Sequence, residues 1–250
     1  MEKKKVIVYV DGFNFYYGLK KESKWRKYYW LDIVALFEKF MKPNQELVAV
    51  KYFSARQDDP EACTNQGRFF QANKENGKFH LILGTYLKKS ITCRKCGYEI
   101  KTHEEKETDV RIATQIVVDA YERNYDIAII VSADSDMVPA IEIAKGIGRT
   151  VFVYFPPNQH SSNLATMGSG SPIFLQRYES RFRQSILPDM VHLQSIDIDI
   201  SIPDKWKKFQ GRWNFLLWWK MNLDLLNGEV AEDAPKWEER EILKPLNEFN

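Results

Sequence analysis

The chain has 250 residues, 44% of them hydrophobic and 28% charged, so it can bury a real core and carries no apolar run long enough to span a bilayer. A net charge of +2 excludes a globally basic nucleic-acid binder, and any such contact needs local patches. The three cysteines are sparse and odd in number. The basic start leads through a short apolar run to Asp11 without a small-residue cleavage site, so the expected setting is reducing and cytoplasmic.

Apolar patterning predicts elements that alternate along the chain. Val6–Val10 reads as a strand that stops at Asp11-Gly12 and turns into a helix. Ile33, Leu36, Phe37 and Phe40 have helical spacing behind Asp32 as an N-cap. "ELVAVKYFSA" predicts a second strand, "PEACTNQGRFFQANKEN" a helix ended by Gly77, and "FHLILGTYL" a third strand. "KKSITCRKCGYEIKTHEEKET" is polar and loop-like, with hairpin potential at Gly97. Asp109 opens a helix whose Ile112, Ile116, Val117 and Ala120 share a face. "YDIAIIVSADSD" is a fourth strand, "MVPAIEIAKGIG" a helix, and "RTVFVYFP" a fifth strand. This alternation predicts an α/β fold, a mostly parallel sheet with helices on both faces and sites beyond the carboxyl ends of the strands. Residues 1–200 are expected to form that domain. Residues 201–250, with Trp206, Trp213, Trp218, Trp219 and Trp237, form a small helical appendage that packs on the domain or on a second copy in a homodimer.

Asp11 ends the first strand, Asp134 and Asp136 end the fourth, and Asp109 starts a helix, where the dipole tolerates its charge. In a parallel sheet all four fall on one edge. Clustered carboxylates repel unless a cation lies between them or one takes a proton. Oxygen ligands suit Mg²⁺ or Mn²⁺, and such ions serve water activation and phosphoryl chemistry. The bland alternative makes each Asp a turn or cap residue.

"VYVDGFNFYYGLK", "EEKETDVRIATQIVVDA" and "IIVSADSDMVPAIEIAKGIGRTVFVY" resemble the three motif blocks of the NYN domain family, PIN-like proteins, over roughly residues 4–190. That family is similar to PIN and FLAP nucleases, with a parallel sheet between helices, and its members are inferred to be metal-dependent ribonucleases. The resemblance implies Asp11, Asp109, Asp134 and Asp136 as catalytic metal ligands. Asp134 is the better direct ligand; Asp136 acts through water or caps the next helix. It implies Asn14 as the partner of a metal-bound water or a phosphate, Lys106 as a positioning residue, and Ser161 and Ser162 as part of a loop bordering the cleft. Ser132, beside the site, either bonds a carboxylate or phosphate or forms a turn.

Cys93-x-x-Cys96 with Gly97 resembles a zinc knuckle, and His103 would be a third ligand. A fourth is missing, so bound Zn²⁺, two free thiols and a redox pair all stay open. Lys20, Lys21 and Arg26 interleave with Tyr16, Tyr17, Trp25, Tyr28, Tyr29 and Trp30, and Lys88, Lys89, Arg94 and Lys95 form a second basic patch. Such segments stack unpaired bases and track phosphates, or else close a core beneath a solvated face. The expected function is Mg²⁺/Mn²⁺-dependent hydrolysis of RNA, leaving a 5′-phosphate if it follows the family's relatives. Two rivals are a haloacid-dehalogenase-like phosphatase, in which Asp134 of "DSDMV" would be the nucleophile, and a non-catalytic RNA-binding regulator.

Overall fold

The structure, a computed structural model, describes residues 3–92, 96 and 99–210, with the backbone alone for 85–92 and 99–106. In chain order the elements are β1 (Lys4–Asp11), α1 (Gly12–Lys21), α2 (Ile33–Glu38), β2 (Gln45–Ser54), α3 (Pro60–Lys74), β3 (Phe79–Leu83), β4 (Thr85–Thr92), β5 (Glu99–Lys106) and α4 (Thr108–Tyr121). They continue with β6 (Ile127–Val131), α5 (Val138–Gly146), β7 (Thr150–Phe155), α6 (Ser162–Ala165), β8 (Ile173–Phe174), α7 (Glu179–Arg183), β9 (Met190–Leu193) and β10 (Ile198–Ser201).

β1 and β6 are apolar along almost their whole length because both their faces are covered. Six strands form one sheet in the order β3-β2-β1-β6-β7-β8, and every pairing in it is parallel. On one face Ile7, Tyr9, Ala128, Ile130, Val151 and Val153 pack with Ile112 and Ile116 of α4 and Ile141 of α5. On the other, the Tyr52 ring meets Phe69 and Phe70 of α3, and Phe40, just after α2, meets Tyr154. This is the α/β sheet with helices on both faces. Beginning at β1, the chain winds outward through β2 and β3, then returns to β6 and winds the other way through β7 and β8. The reversal places a crevice between the carboxyl ends of β1 and β6.

Two stretches depart from the expected elements. The third strand ends at Leu83; the rest of "FHLILGTYL" leaves the sheet at Gly84 and enters β4. The polar stretch read as loop-like with hairpin potential at Gly97 is an antiparallel hairpin, β4 with β5. Its strands scatter Tyr86, Leu87, Ile91 and Ile100 among polar and charged residues without a regular alternation, so cross-strand pairing defines it.

The chain divides into two compact units, Met1–Lys207 and Lys208–Asn250. Within the first, β9 and β10 form a hairpin, and Trp206 packs against Tyr29 and Trp30. The other four tryptophans predicted for the appendage lie outside the described residues.

Candidate metal centre

The crevice floor is built where β1 turns into α1. Asp11 is the last residue of β1 and the N-cap of α1, and its position in the strand turns it to the face covered by α4. It is 3% exposed. Three donors hold its carboxylate: the Asn14 N–H at 3.0 Å to Oδ1, and the Asn14 side-chain amide at 2.6 Å and the Ser132 hydroxyl at 2.9 Å, both to Oδ2. Burial raises its pKa above the ordinary carboxylate range. These hydrogen bonds oppose the rise, and the Asp134 charge adds to it. Gly12 permits the turn: a β-carbon there would stand 2.5 Å from the Phe53 carbonyl oxygen and 2.5 Å from the Tyr52 ring.

Ser132 follows β6, one step beyond the Val10–Val131 pair. Its oxygen accepts the Asp134 N–H at 3.0 Å while its proton goes to Asp11, so one buried hydroxyl ties the two walls together. Asp134 in turn caps the following 3₁₀ turn by accepting the Asp136 N–H at 2.9 Å. The expectation that Asp136 might cap the next helix is therefore reversed: Asp134 caps, and Asp136 lies in the first turn.

The third wall is α4. Asp109 lies in its first turn; the residue preceding the helix is Glu107, held at φ 76° in the left-handed region. That conformation costs a residue with a β-carbon about 1 kcal/mol. Thr108, between them, has a buried hydroxyl oxygen without a hydrogen-bond partner among the described residues. The helix is anchored by Asp119, on the same stripe as Ile112, Ile116 and Ala120. Asp119 accepts from Tyr9 at 2.6 Å, Gln115 at 3.2 Å and Asn124 at 3.0 Å, and pairs with Lys51 at 2.6 Å.

One carboxylate oxygen from each of Asp109, Asp134 and Asp136 lies within 4.8 Å of the other two. None of the three has a cationic partner among the described residues. Burial, then the charges of Asp11, Asp134 and Asp136, push the Asp109 pKa up to about 6. Asp11 lies outside this trio and forms the buried layer joined to it through Ser132. Three converging carboxylate oxygens with no compensating cation among the described residues fit a hard divalent ion.

The remaining candidates scatter. Asn14 donates to Asp11, and Ser132, 1% exposed, has its hydroxyl engaged by both walls rather than free for a phosphate. Ser161 caps α6, accepting the Leu164 N–H at 3.3 Å, and Ser162 begins that helix. Lys20 and Lys21 are exposed at the end of α1, while Arg26 is partly buried and donates to the Lys20 carbonyl. Trp25, Tyr28, Tyr29 and Trp30 belong to the core, so for them the core-closing reading holds. Cys96 is exposed and free; Cys93 and the side chains of His103, Lys106, Lys88 and Lys89 lie outside the described residues, as do Arg94 and Lys95. Sequence reasoning missed Asp119, although a carboxylate on an apolar helical stripe was there to be noticed.

A curated relative from Pseudomonas putida, named 6-hydroxy-3-succinoylpyridine 3-monooxygenase HspA, is 28% identical over 174 residues, covering 55% of this chain and 54% of the relative. The chain thus spans about half the length of that protein. A crystal structure of a protein of unknown function from Vibrio parahaemolyticus aligns with a TM-score of 0.49 at 22% identity, over 69% of this chain and 94% of that one. Residues 5–168 match the NYN domain profile, a span that contains the complete acidic centre. The chain belongs to the NYN domain family, a PIN-like nuclease family.

Proposed function

We propose that this protein hydrolyses phosphodiester bonds of RNA with Mg²⁺ or Mn²⁺ at Asp109, Asp134 and Asp136. The observation that carries this reading is the convergence of their oxygens within 4.8 Å at the crevice of a parallel sheet. A bound ion would supply Lewis-acid polarisation of the phosphoryl group and a nucleophilic water at neutral pH. The chain's own residues perform the positioning. Asn14 and Ser132 hold Asp11, and Ser132 fixes the backbone of Asp134 at the same time. The Asp136 N–H donates to Asp134 Oδ1 and fixes the orientation of that carboxylate. The strain at Glu107 and the anchor at Asp119 set where Asp109 enters. Without an ion the Asp109 pKa is pushed up to about 6, so binding an ion there releases its proton.

The test incubates purified protein and its Asp134→Asn variant with single-stranded RNA in Mn²⁺, in Mg²⁺ and in chelator. Metal-dependent cleavage lost in the variant is the expected outcome. RNA bound but uncut by the wild type would favour a regulatory binder. An aspartyl-phosphate trapped at Asp134 would favour the phosphatase reading. Turnover of 6-hydroxy-3-succinoylpyridine with a reductant, leaving RNA intact, would move the function to the reaction named for the Pseudomonas relative.

A further inference from the structure

Between β7 and α6 the chain crosses from the sheet to the turn that carries Asp136. It starts with Pro156-Pro157, whose rings fix φ, and the Gln159 N–H closes a turn on the Pro156 carbonyl at 3.2 Å. The His160 ring then lies nearly parallel to Phe174, 18° apart at 5.8 Å. Ser161 caps α6, and α6 packs against the 3₁₀ turn Ser135–Met137, where Asp136 lies. Asn158 is the point at which this segment meets α1. Its side-chain amide donates to the Gly18 carbonyl at 3.1 Å, its carbonyl accepts from the Lys21 ammonium at 3.2 Å, and its own N–H donates to the Gln176 side-chain oxygen at 2.9 Å. Gly18 allows the approach, because a β-carbon there would collide with the Pro157 carbonyl oxygen. Asn158 holds φ at 58°, in the left-handed region that Asn tolerates better than most residues with a β-carbon.

From this arrangement we infer that Asn158 is a positioning residue of the acidic centre: it latches the β7–α6 segment onto α1 and thereby keeps α6 seated against the turn of Asp136. The crevice then has two ties. Ser132 joins Asp11 to Asp134 in the buried floor, and Asn158 joins the far end of α1, the helix that Asp11 caps, to the segment behind Asp136. The floor tie is sealed from water. Asn158 is only half-buried and Lys21 is exposed, so the outer tie can open locally without unfolding the sheet. Asp136 contributes one of the three converging oxygens, and an open latch lets its turn drift from the other two. The inference rests on the proposed function for Asp136 as a metal ligand, but the latch itself needs no bound ion.

Amide hydrogen exchange, followed by mass spectrometry on the full chain in chelator, compares wild type, Asn158→Gly and Asn158→Ala. Asn158→Gly keeps the left-handed backbone accessible and removes only the side-chain amide; Asn158→Ala also strains the backbone. Loss of one hydrogen bond raises the open fraction about 2- to 12-fold. Residues 159–166 and 134–138 should therefore exchange faster by about that factor in Asn158→Gly and by more in Asn158→Ala, with β1 and β6 unchanged. Faster exchange at 159–166 with 134–138 unchanged, no acceleration in either variant, or equal acceleration throughout β1 and β6 would overturn the latch. Mn²⁺ affinity, measured by calorimetry, should fall from wild type through Asn158→Gly to Asn158→Ala. Equal Mn²⁺ binding by wild type and Asn158→Ala would overturn the positioning role. A wild type that binds no Mn²⁺ defeats the metal reading, while the exchange series still decides the latch.

Discussion

Replacing Ser132 by Ala removes one hydroxyl that serves two walls of the centre. Asp11 loses the 2.9 Å donor to Oδ2, and the Asp134 N–H loses its 3.0 Å acceptor. Ser132 is 1% and Asp11 3% exposed, so little water can take over. A hydrogen bond to a charged group contributes about 1.5–3 kcal/mol, and an orphaned buried donor costs about as much again. Asn14 still holds Asp11 through two bonds and the Asp134 amide is only partly buried, which places the net loss near the lower bound, about 2 kcal/mol. For a domain of this size that is a fall of about 4–8 °C in Tm. The pH dependence follows from the sign of the Asp11 shift. Its folded pKa is raised, so the folded form binds the extra proton, and stability falls as pH rises from the unfolded pKa through the folded one. Losing Ser132 raises the folded pKa further. The deficit of Ser132→Ala is therefore largest at neutral pH and shrinks in acid, where Asp11 is protonated in both states. Thermal unfolding in chelator, followed by circular dichroism across pH and repeated in an Asp11→Asn background, measures this. A Tm within about 1 °C of wild type at neutral pH, a deficit that grows on acidification, or full additivity with Asp11→Asn would refute the bridging role.

Three further perturbations probe the frame around the centre. Gly12→Ala places a β-carbon 2.5 Å from the Phe53 carbonyl and the Tyr52 ring, so about 1–3 kcal/mol of stability should be lost together with activity, whereas Gly67→Ala, with nothing within 4 Å of its new carbon, should gain about 0.5–1 kcal/mol; urea unfolding compares the two. Lys51→Met leaves Asp119 buried and charged without its cation, at a cost of about 3–5 kcal/mol. Burial works against the Asp119 charge, but hydrogen bonds from Lys51, Tyr9 and Asn124 outweigh it and lower the pKa; the wild type therefore carries stability above the ordinary carboxylate pKa that is lost as pH falls through the folded one, and Lys51→Met should show less of this acid loss in denaturant melts. Mn²⁺ affinity, followed by calorimetry, should fall by up to about tenfold per pH unit below about pH 6, where Asp109 must release a proton to bind, and Asp136→Asn should move that break to lower pH; an affinity constant across the range would contradict the assignment.

What the sequence made legible was whatever a local pattern could carry. The apolar runs of β1, β6 and β7 announced central strands because each is covered on both faces, and the Asp residues ending two of them announced a shared edge once the sheet was read as parallel. The β4–β5 hairpin had no such signal. Only the turn signal at Gly97 hinted at it, and neither period nor polarity separated the rest from a loop. The aromatic segment Trp25–Trp30 left two readings open, because it reads equally well as a base-stacking surface and as a core-closing one. Its burial depends on Phe182, more than 150 residues later, which meets Phe15, Trp25 and Tyr28.

The same distinction explains how the acidic centre divides its labour. Four Asp residues look interchangeable in sequence, each at an element boundary. Their differences arise from contacts between segments more than a hundred residues apart. Asp11 receives Ser132 across the crevice and is buried with three hydrogen-bond donors, while Asp109, Asp134 and Asp136 converge with no cationic partner among the described residues. A support must keep its geometry with or without a ligand, and hydrogen bonds to both oxygens achieve that. Carboxylates proposed as ligands stay poorly neutralised until an ion arrives, and the pKa of Asp109, raised first by burial and then by the charges of Asp11, Asp134 and Asp136, reflects this. Hydrogen-bonding both oxygens of Asp11, while the other three have no cationic partner among the described residues, keeps the centre rigid and its charge unmet, as the proposed binding of a divalent ion requires.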